Sequence, residues 1–224
     1  MLKDKIIGIL GGIGPESSGI LYLELIKSIQ KNFNLESTAD YPQIIMNSIA
    51  MKDLIYMDIG EGDMKPILKG LKELDNYTPD CNAIICNSAY SFYDYLSKNT
   101  KTKLIDLQKI VYDYLITNNI SKIGVLATKI SISKVYNYKD MYILKPSIEN
   151  QLIIDKLITN FNKGIKSEED EFLLTQIINT LIEEGAEKII LGCTEIELIG
   201  RGSNNTINPM ELLINEIIEK IKND

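Results

Sequence analysis

The 224-residue sequence predicts an α/β protein of two comparable lobes, each built on a small parallel sheet flanked by helices. Three observations predict it. Short apolar runs alternate with longer stretches whose apolar residues recur at helical spacing, the pattern of parallel strands covered on both faces. Four of the runs end in a small-residue turn: ILGGIGPES, AIICNSAY, IGVLATK and IILGCTEIE. Two of those junctions carry a cysteine, Cys86 and Cys193, and 193 − 86 = 107 positions separate them, close to half the chain.

The elements follow in order. Ile6 to Leu10 reads as the first strand, closed by Gly11, Gly12 and Gly14 before a helix marked by Leu21, Leu25, Ile26 and Ile29. Pro42 to Ile49 is a second apolar run with Asn47 and Ser48 near its end. Beyond Gly60 and Gly62, the residues Met64, Ile67, Leu68, Leu71 and Leu74 mark a helix, and Ala83 to Ile85 is a strand that opens into Cys86. Lys103 to Leu107 is a short extended run, Ile110 to Ile116 a helix, and Ile123 to Leu126 a strand entering Ala127, Thr128 and Lys129. Asn150 to Phe161 and Phe172 to Ile182 are helices, and Gly185 ends the second of them. Lys188 to Leu191 is a strand entering Gly192 and Cys193, and a turn at Asn208 and Pro209 leads to a last helix with Leu212, Ile214, Ile217 and Ile218.

Composition narrows the chemistry. The chain has no histidine, which removes the usual neutral-pH proton carrier and the commonest metal ligand. Acid/base work therefore falls to Cys, Asp, Glu, Lys or Tyr. Three cysteines cannot all pair within one chain, and two of them follow strand-like runs, so a reducing, cytoplasmic setting is expected. No signal-type leader and no uncharged apolar stretch of about 18 residues is present, so no membrane association is expected. A net charge of -7 without an arginine-rich stripe argues against nucleic acid as a partner. An anionic small substrate stays open, because local donors override a global field.

Cys86-Asn87-Ser88 and Cys193-Thr194-Glu195 place a nucleophilic sulfur beside hydroxyl or amide groups where a helix begins. Free N–H groups there favour thiolate over thiol. A facing thiol pair suits removal of a proton from one side of a carbon and delivery from the other. A covalent cysteine nucleophile and a redox couple are the other uses of such a pair. Cys81, five positions before Cys86, reads as structural. The glycines at 8, 11, 12 and 14 do not have dinucleotide-loop spacing, and their amides fit a small carboxylate better. Asn47, Ser48, Asn87, Ser88, Thr128 and Thr194 all fall at strand ends, as caps or as donors lining a cleft. Lys163 precedes Gly164 at a helix end, either solvated or paired with a substrate carboxylate. Glu195 either caps its own helix or bonds across the cleft.

These motifs, with NSIAMKD, KGIK and NPMELL, resemble the aspartate/glutamate racemase family over nearly the whole chain, most closely its aspartate-racemase-like branch. The resemblance implies two pseudosymmetric lobes around the active site, with residues 1–102 plus 208–224 in one and 103–207 in the other. It implies racemisation of an amino acid, aspartate first, by two cysteine bases without cofactor or metal, in a homodimer. Cys86 and Cys193 would be the catalytic thiols. Gly12, Asn87, Ser88, Thr128 and Thr194 would hold the α-carboxylate, with Asn47 and Ser48 beside it and Lys163 near the side-chain carboxylate; Glu195 is counted with the substrate-binding residues. A broad-specificity racemase, a dicarboxylate isomerase or decarboxylase, and a carboxylate-binding protein are the alternatives.

Four positions depart from the family pattern: Leu54 stands where an arginine would grip a distal carboxylate, Tyr90 where histidine is common, Ile130-Ser131 at a glycine-threonine turn, and Asn208 at an aspartate. Losing a bidentate guanidinium at Leu54 weakens selection for a dicarboxylic amino acid unless Lys52 or Lys163 replaces it.

Overall fold

The computed structural model describes residues 1–55, 58–200, 202 and 205–223, the last without its side chain. The first sheet has three parallel strands, β1 (Ile6–Gly11), β2 (Gln43–Ser48) and β3 (Cys81–Ile84), in the order β2-β1-β3. The second has four, β4 (Lys122–Leu126), β5 (Tyr142–Leu144), β6 (Lys188–Leu191) and β7 (Thr206–Ile207), in the order β5-β4-β6-β7. The orders match: in each sheet the chain steps from the central strand to one side, then crosses to the other. Leu104 completes the likeness by bridging Asn82 at the edge of the first sheet, in the place that β7 holds in the second. The chain therefore leaves the first sheet only beyond this bridge, just after the expected division at 102.

Helices α1 (Pro15–Asn32), α2 (Lys65–Leu74), α3 (Tyr93–Lys98) and α4 (Leu107–Thr117) follow strands or bridges of the first lobe. Helices α5 (Ile148–Asn162), α6 (Glu168–Glu183), α7 (Thr194–Ile199) and α8 (Pro209–Asn223) belong to the second half of the chain. Their apolar stripes settle the packing: Leu21, Leu25 and Ile29 of α1 are fully buried, as periodicity requires. The C-terminal helix α8 crosses back to pack on α1, α4 and β3. Its first turn is tied down by the buried Glu197 carboxylate of α7, which accepts the Met210 N–H at 3.2 Å.

β5 and β7 do not show in the sequence pattern. They are three and two residues long, too short for a period-two signal. Among the described residues no helix is long and apolar enough to cross a membrane.

Candidate active site

In an open parallel sheet, ligands collect beyond the carboxyl ends of the strands where the strand order reverses. That point lies between β1 and β3 in the first sheet and between β4 and β6 in the second. The residues following those four strands come together as one cleft: Ile13 and Gly14 after β1, Cys86, Asn87 and Ser88 after β3, Thr128 after β4, and Cys193, Thr194 and Glu195 after β6. Both lobes thus turn their ligand-collecting ends toward one another. The remaining wall comes from Asp53, Leu54 and Ile55 in the loop after β2 and from Ile158 and Asn162, one turn apart on α5.

The polar side chains are fixed from behind. Tyr136 donates from its hydroxyl to Asn87 Oδ1 at 2.6 Å, so the Asn87 NH2 is left to serve the cleft. Ser88 Oγ lies 2.8 Å from Thr128 Oγ1 and 3.1 Å from Ser131 Oγ, a buried cluster of hydroxyls that joins the lobes. Ser131 N–H also donates to Thr128 Oγ1 at 3.3 Å. Ser131 opens a π-helical turn through Val135 at the site of the expected turn departure. Below Thr128, Gln151 donates to the Ala127 carbonyl at 3.0 Å and to Asp155 at 2.8 Å, and Asp155 pairs with Lys129 at 3.3 Å.

Cys86 and Cys193 are buried and in no disulfide, and Cys81 lies buried in β3. Burial pushes the Cys86 thiol up to about 12, with the Glu195 and Asp53 carboxylates adding to the rise while the Ala89 and Ser88 N–H groups oppose it. Burial likewise holds Cys193 well above its ordinary value, reinforced by the Glu195 charge, by its hydrogen bond to Glu195 and by the nearby Cys86. Cys193 Sγ donates to Glu195 Oε2 at 2.9 Å, and Thr194 Oγ1 donates to the same oxygen at 3.1 Å. Glu195 is itself buried. Its carboxylate thus holds the Cys193 thiol in place by accepting its hydrogen bond.

Other expected site residues lie elsewhere, each for a local reason. The Gly12 N–H is used inside its own loop, donating to Ser18 Oγ at 2.8 Å, and Ser18 in turn donates to the Gly14 carbonyl at 3.0 Å. Gly12 has φ +91, and a Cβ there would stand 2.2 Å from the Ile49 carbonyl oxygen, so this glycine shapes the turn. Asn47 points to the α2 side, donating to the Gly70 carbonyl at 3.2 Å and to Glu73 at 2.8 Å. Ser48 is exposed at the end of β2 and outside the lining. Lys163 caps the C-terminus of α5, exposed and outside the lining, while its neighbour Asn162 faces inward. Lys52 pairs with Asp63 at 2.7 Å. Tyr90 is fully buried and anchored to the Ile84 backbone, donating to its carbonyl at 3.3 Å. Asn162 was legible only through its helical spacing from Ile158. Tyr136 had no sequence signal of its own, and Ser131 stood out only as part of the altered turn Ile130-Ser131.

Among the described residues, no group of three or more His, Cys, Asp or Glu side chains is placed to hold a metal. Two parallel α/β lobes that close on one cleft, each supplying a buried cysteine beyond its central strands, define a racemase that works through its own side chains. The chain belongs to the Asp/Glu/Hydantoin racemase family, whose model matches residues 10–216. It is similar to the broad specificity amino-acid racemase RacX of Bacillus subtilis (strain 168), 23% identical over 201 residues that cover 86% of each chain. Its fold is shared with an aspartate racemase homologue from Pyrococcus horikoshii OT3, at TM-score 0.77 and 23% identity, covering 97% of this chain and 99% of that one. The Picrophilus torridus aspartate racemase also has TM-score 0.77, at 20% identity, covering 97% and 94%.

Proposed function

We propose that the enzyme inverts the α-carbon of a free amino acid, with Cys86 and Cys193 as the two bases. The observation that carries this reading is the placement of two buried thiols on one cleft, one from each sheet's switch point. The Asn87 NH2 donates to the α-carboxylate, and Ser88, Thr128 and Thr194 line its seat with neutral polar groups. The α-ammonium is met by the Glu195 and Asp53 carboxylates. Its arrival offsets the negative charge that helps to keep both thiols protonated.

In one direction Glu195 takes the Cys193 proton, leaving a thiolate and a carboxylic acid. The thiolate removes the α-hydrogen while Cys86 delivers its own proton to the opposite face. The products are the inverted amino acid, a Cys193 thiol, the Glu195 carboxylic acid and a Cys86 thiolate, which the Ala89 and Ser88 N–H groups stabilise until the Glu195 proton returns to it through solvent. The other enantiomer runs the same steps in reverse. No electron sink enters the scheme, so the barrier is lowered by positioning and by hydrogen bonds to the carboxylate as it gains charge.

A cytoplasmic setting, supported by buried Cys86 and Cys193 standing in no disulfide, and a homodimer, checked by analytical ultracentrifugation, complete the proposal. Aspartate, the substrate expected from the resemblance, meets no cation among the described lining residues, and the side-chain preference is taken up below. The test is solvent deuterium incorporation at Cα in D2O without added cofactor, over a broad amino-acid panel. Incorporation that vanishes in both Cys86→Ser and Cys193→Ser supports the reading. Full incorporation in either variant overturns it.

A further inference from the structure

The wall formed by the loop after β2 and by α5 carries a charge pattern opposite to what a dicarboxylic substrate needs. Leu54, Ile55 and Ile158 line it and are nearly fully buried, with Ile13 on the facing loop. Ile55 packs into the apolar cluster of the second lobe that also contains Ile158 and Cys193, so the loop reaches across from the first lobe and closes the cleft with hydrocarbon. The charged lining groups among the described residues are Asp53 and Glu195, both anionic. The nearby lysines are engaged or turned outward: Lys52 with Asp63, Lys129 with Asp155, Lys166 with Glu16, and Lys163 exposed at the end of its helix.

We infer, resting on the racemase reading above, that the substrate is an amino acid with an uncharged aliphatic side chain seated against Leu54, Ile55 and Ile158, and that aspartate and glutamate are poor substrates. A distal carboxylate on this wall would lose its hydration and find hydrocarbon and a second carboxylate in place of a cation, so its binding is disfavoured. An aliphatic side chain instead covers the wall without leaving a charge unpaired. A cationic side chain is the less favoured occupant, because Asp53 sits exposed at the rim, where water screens it, and already accepts a hydrogen bond from Asn162. Leu54 is thereby a specificity-determining residue.

The experiment compares alanine, valine, leucine, methionine, aspartate, glutamate and lysine as substrates of the full chain by deuterium incorporation, and measures binding of leucine, aspartate and lysine by calorimetry. The expected result is a kcat/KM for leucine or methionine about a hundredfold above that for aspartate. Leu54→Arg is expected to narrow or invert that ratio by supplying the missing cation. Aspartate or lysine matching the aliphatic amino acids in the wild-type protein overturns the inference while leaving the racemase reading intact. Absence of incorporation with every amino acid overturns the racemase reading. In that case the calorimetric order of leucine against aspartate and lysine still decides the chemistry of the wall, so the two failures are separable.

Discussion

Asn162, on the last turn of α5, donates from Nδ2 to Asp53 Oδ1 at 3.3 Å and so ties the two lobes together at the rim of the cleft. The bond joins residues 109 positions apart. Both partners are solvent-accessible, so its worth to folding is small, and its expected role is to hold the rim of the cleft around a bound substrate. Asn162→Ala is expected to change unfolding free energy by less than about 1 kcal/mol. KM should rise severalfold with a smaller change in kcat. Urea denaturation with steady-state kinetics checks this, and a KM equal to wild type removes the closing role.

The contact between Cys193 and Glu195 makes a sharper prediction. Glu195→Gln keeps the shape but removes the acceptor of the thiol proton, so kcat should fall by about 100-fold or more. The loss should ease at alkaline pH, where solvent takes over the deprotonation. A rate that rises in Glu195→Gln at neutral pH would show instead that Glu195 acts only as a charge holding the thiol protonated.

The high thiol values have a consequence for stability. Cys86 moves from an ordinary 9.0 to about 12 on burial, so in the alkaline range the unfolded chain has lost a proton that the folded protein keeps. The stabilisation is whole below pH 9.0 and is lost as the pH climbs toward 12. Burial raises Tyr90 and Tyr136 as well, which adds loss at still higher pH. The urea midpoint should therefore fall from neutral pH to about pH 11, and fall less steeply in Cys86→Ser. Equal slopes in the two proteins would contradict this assignment.

The hydroxyl cluster across the lobes should be costly to break. Thr128→Val leaves Ser88, Ser131 and the Ser131 N–H short of a partner in a buried site, for a loss of about 1–3 kcal/mol. Tyr136→Phe should cost folding less, about 1 kcal/mol. It releases Asn87, however, and is expected to raise KM more than it lowers stability. Denaturation and kinetics on both variants separate the effects.

Two glycines of one loop should fail differently. Gly12→Ala places a Cβ against the Ile49 backbone at a positive φ, and is expected to destabilise the fold by about 1–3 kcal/mol or more. Gly14→Ala meets the Glu195 carboxylate at 2.6 Å and the Asn162 side chain at 2.9 Å, both movable ends of side chains. Its main expected effect is on kcat, by displacing Glu195 from Cys193. Thermal unfolding beside activity distinguishes the two.

Much of this protein is legible one segment at a time. The long strands and helices, the glycine turn after β1 and the two cysteine junctions each depend on neighbours within a few residues, so periodicity and turn chemistry mark them. β5 and β7 escape because they are short, half-covered strands that exist only through pairing with β4 and β6. Among site residues the difference is one of direction. Asn87, Ser88, Thr128, Thr194 and Glu195 follow strands whose carboxyl ends face the other lobe, so location at the junction sufficed. Asn47 ends β2, beside α2, and its amide finds Gly70 and Glu73 there instead.

The sequence by itself determined that two thiols would stand at equivalent strand ends and that no histidine would assist them, because local hydrophobic order places the strands and composition is absolute. Only the tertiary structure decided that the two switch points face each other, that Asn162 and not Lys163 turns inward, and that the wall beside Leu54 is hydrocarbon bordered by carboxylates. Those outcomes depend on which face of α5 packs against the sheet and on how far the loop after β2 reaches across the cleft. Both are set by contacts between residues about a hundred positions apart, such as Asp53 with Asn162, which no local pattern encodes.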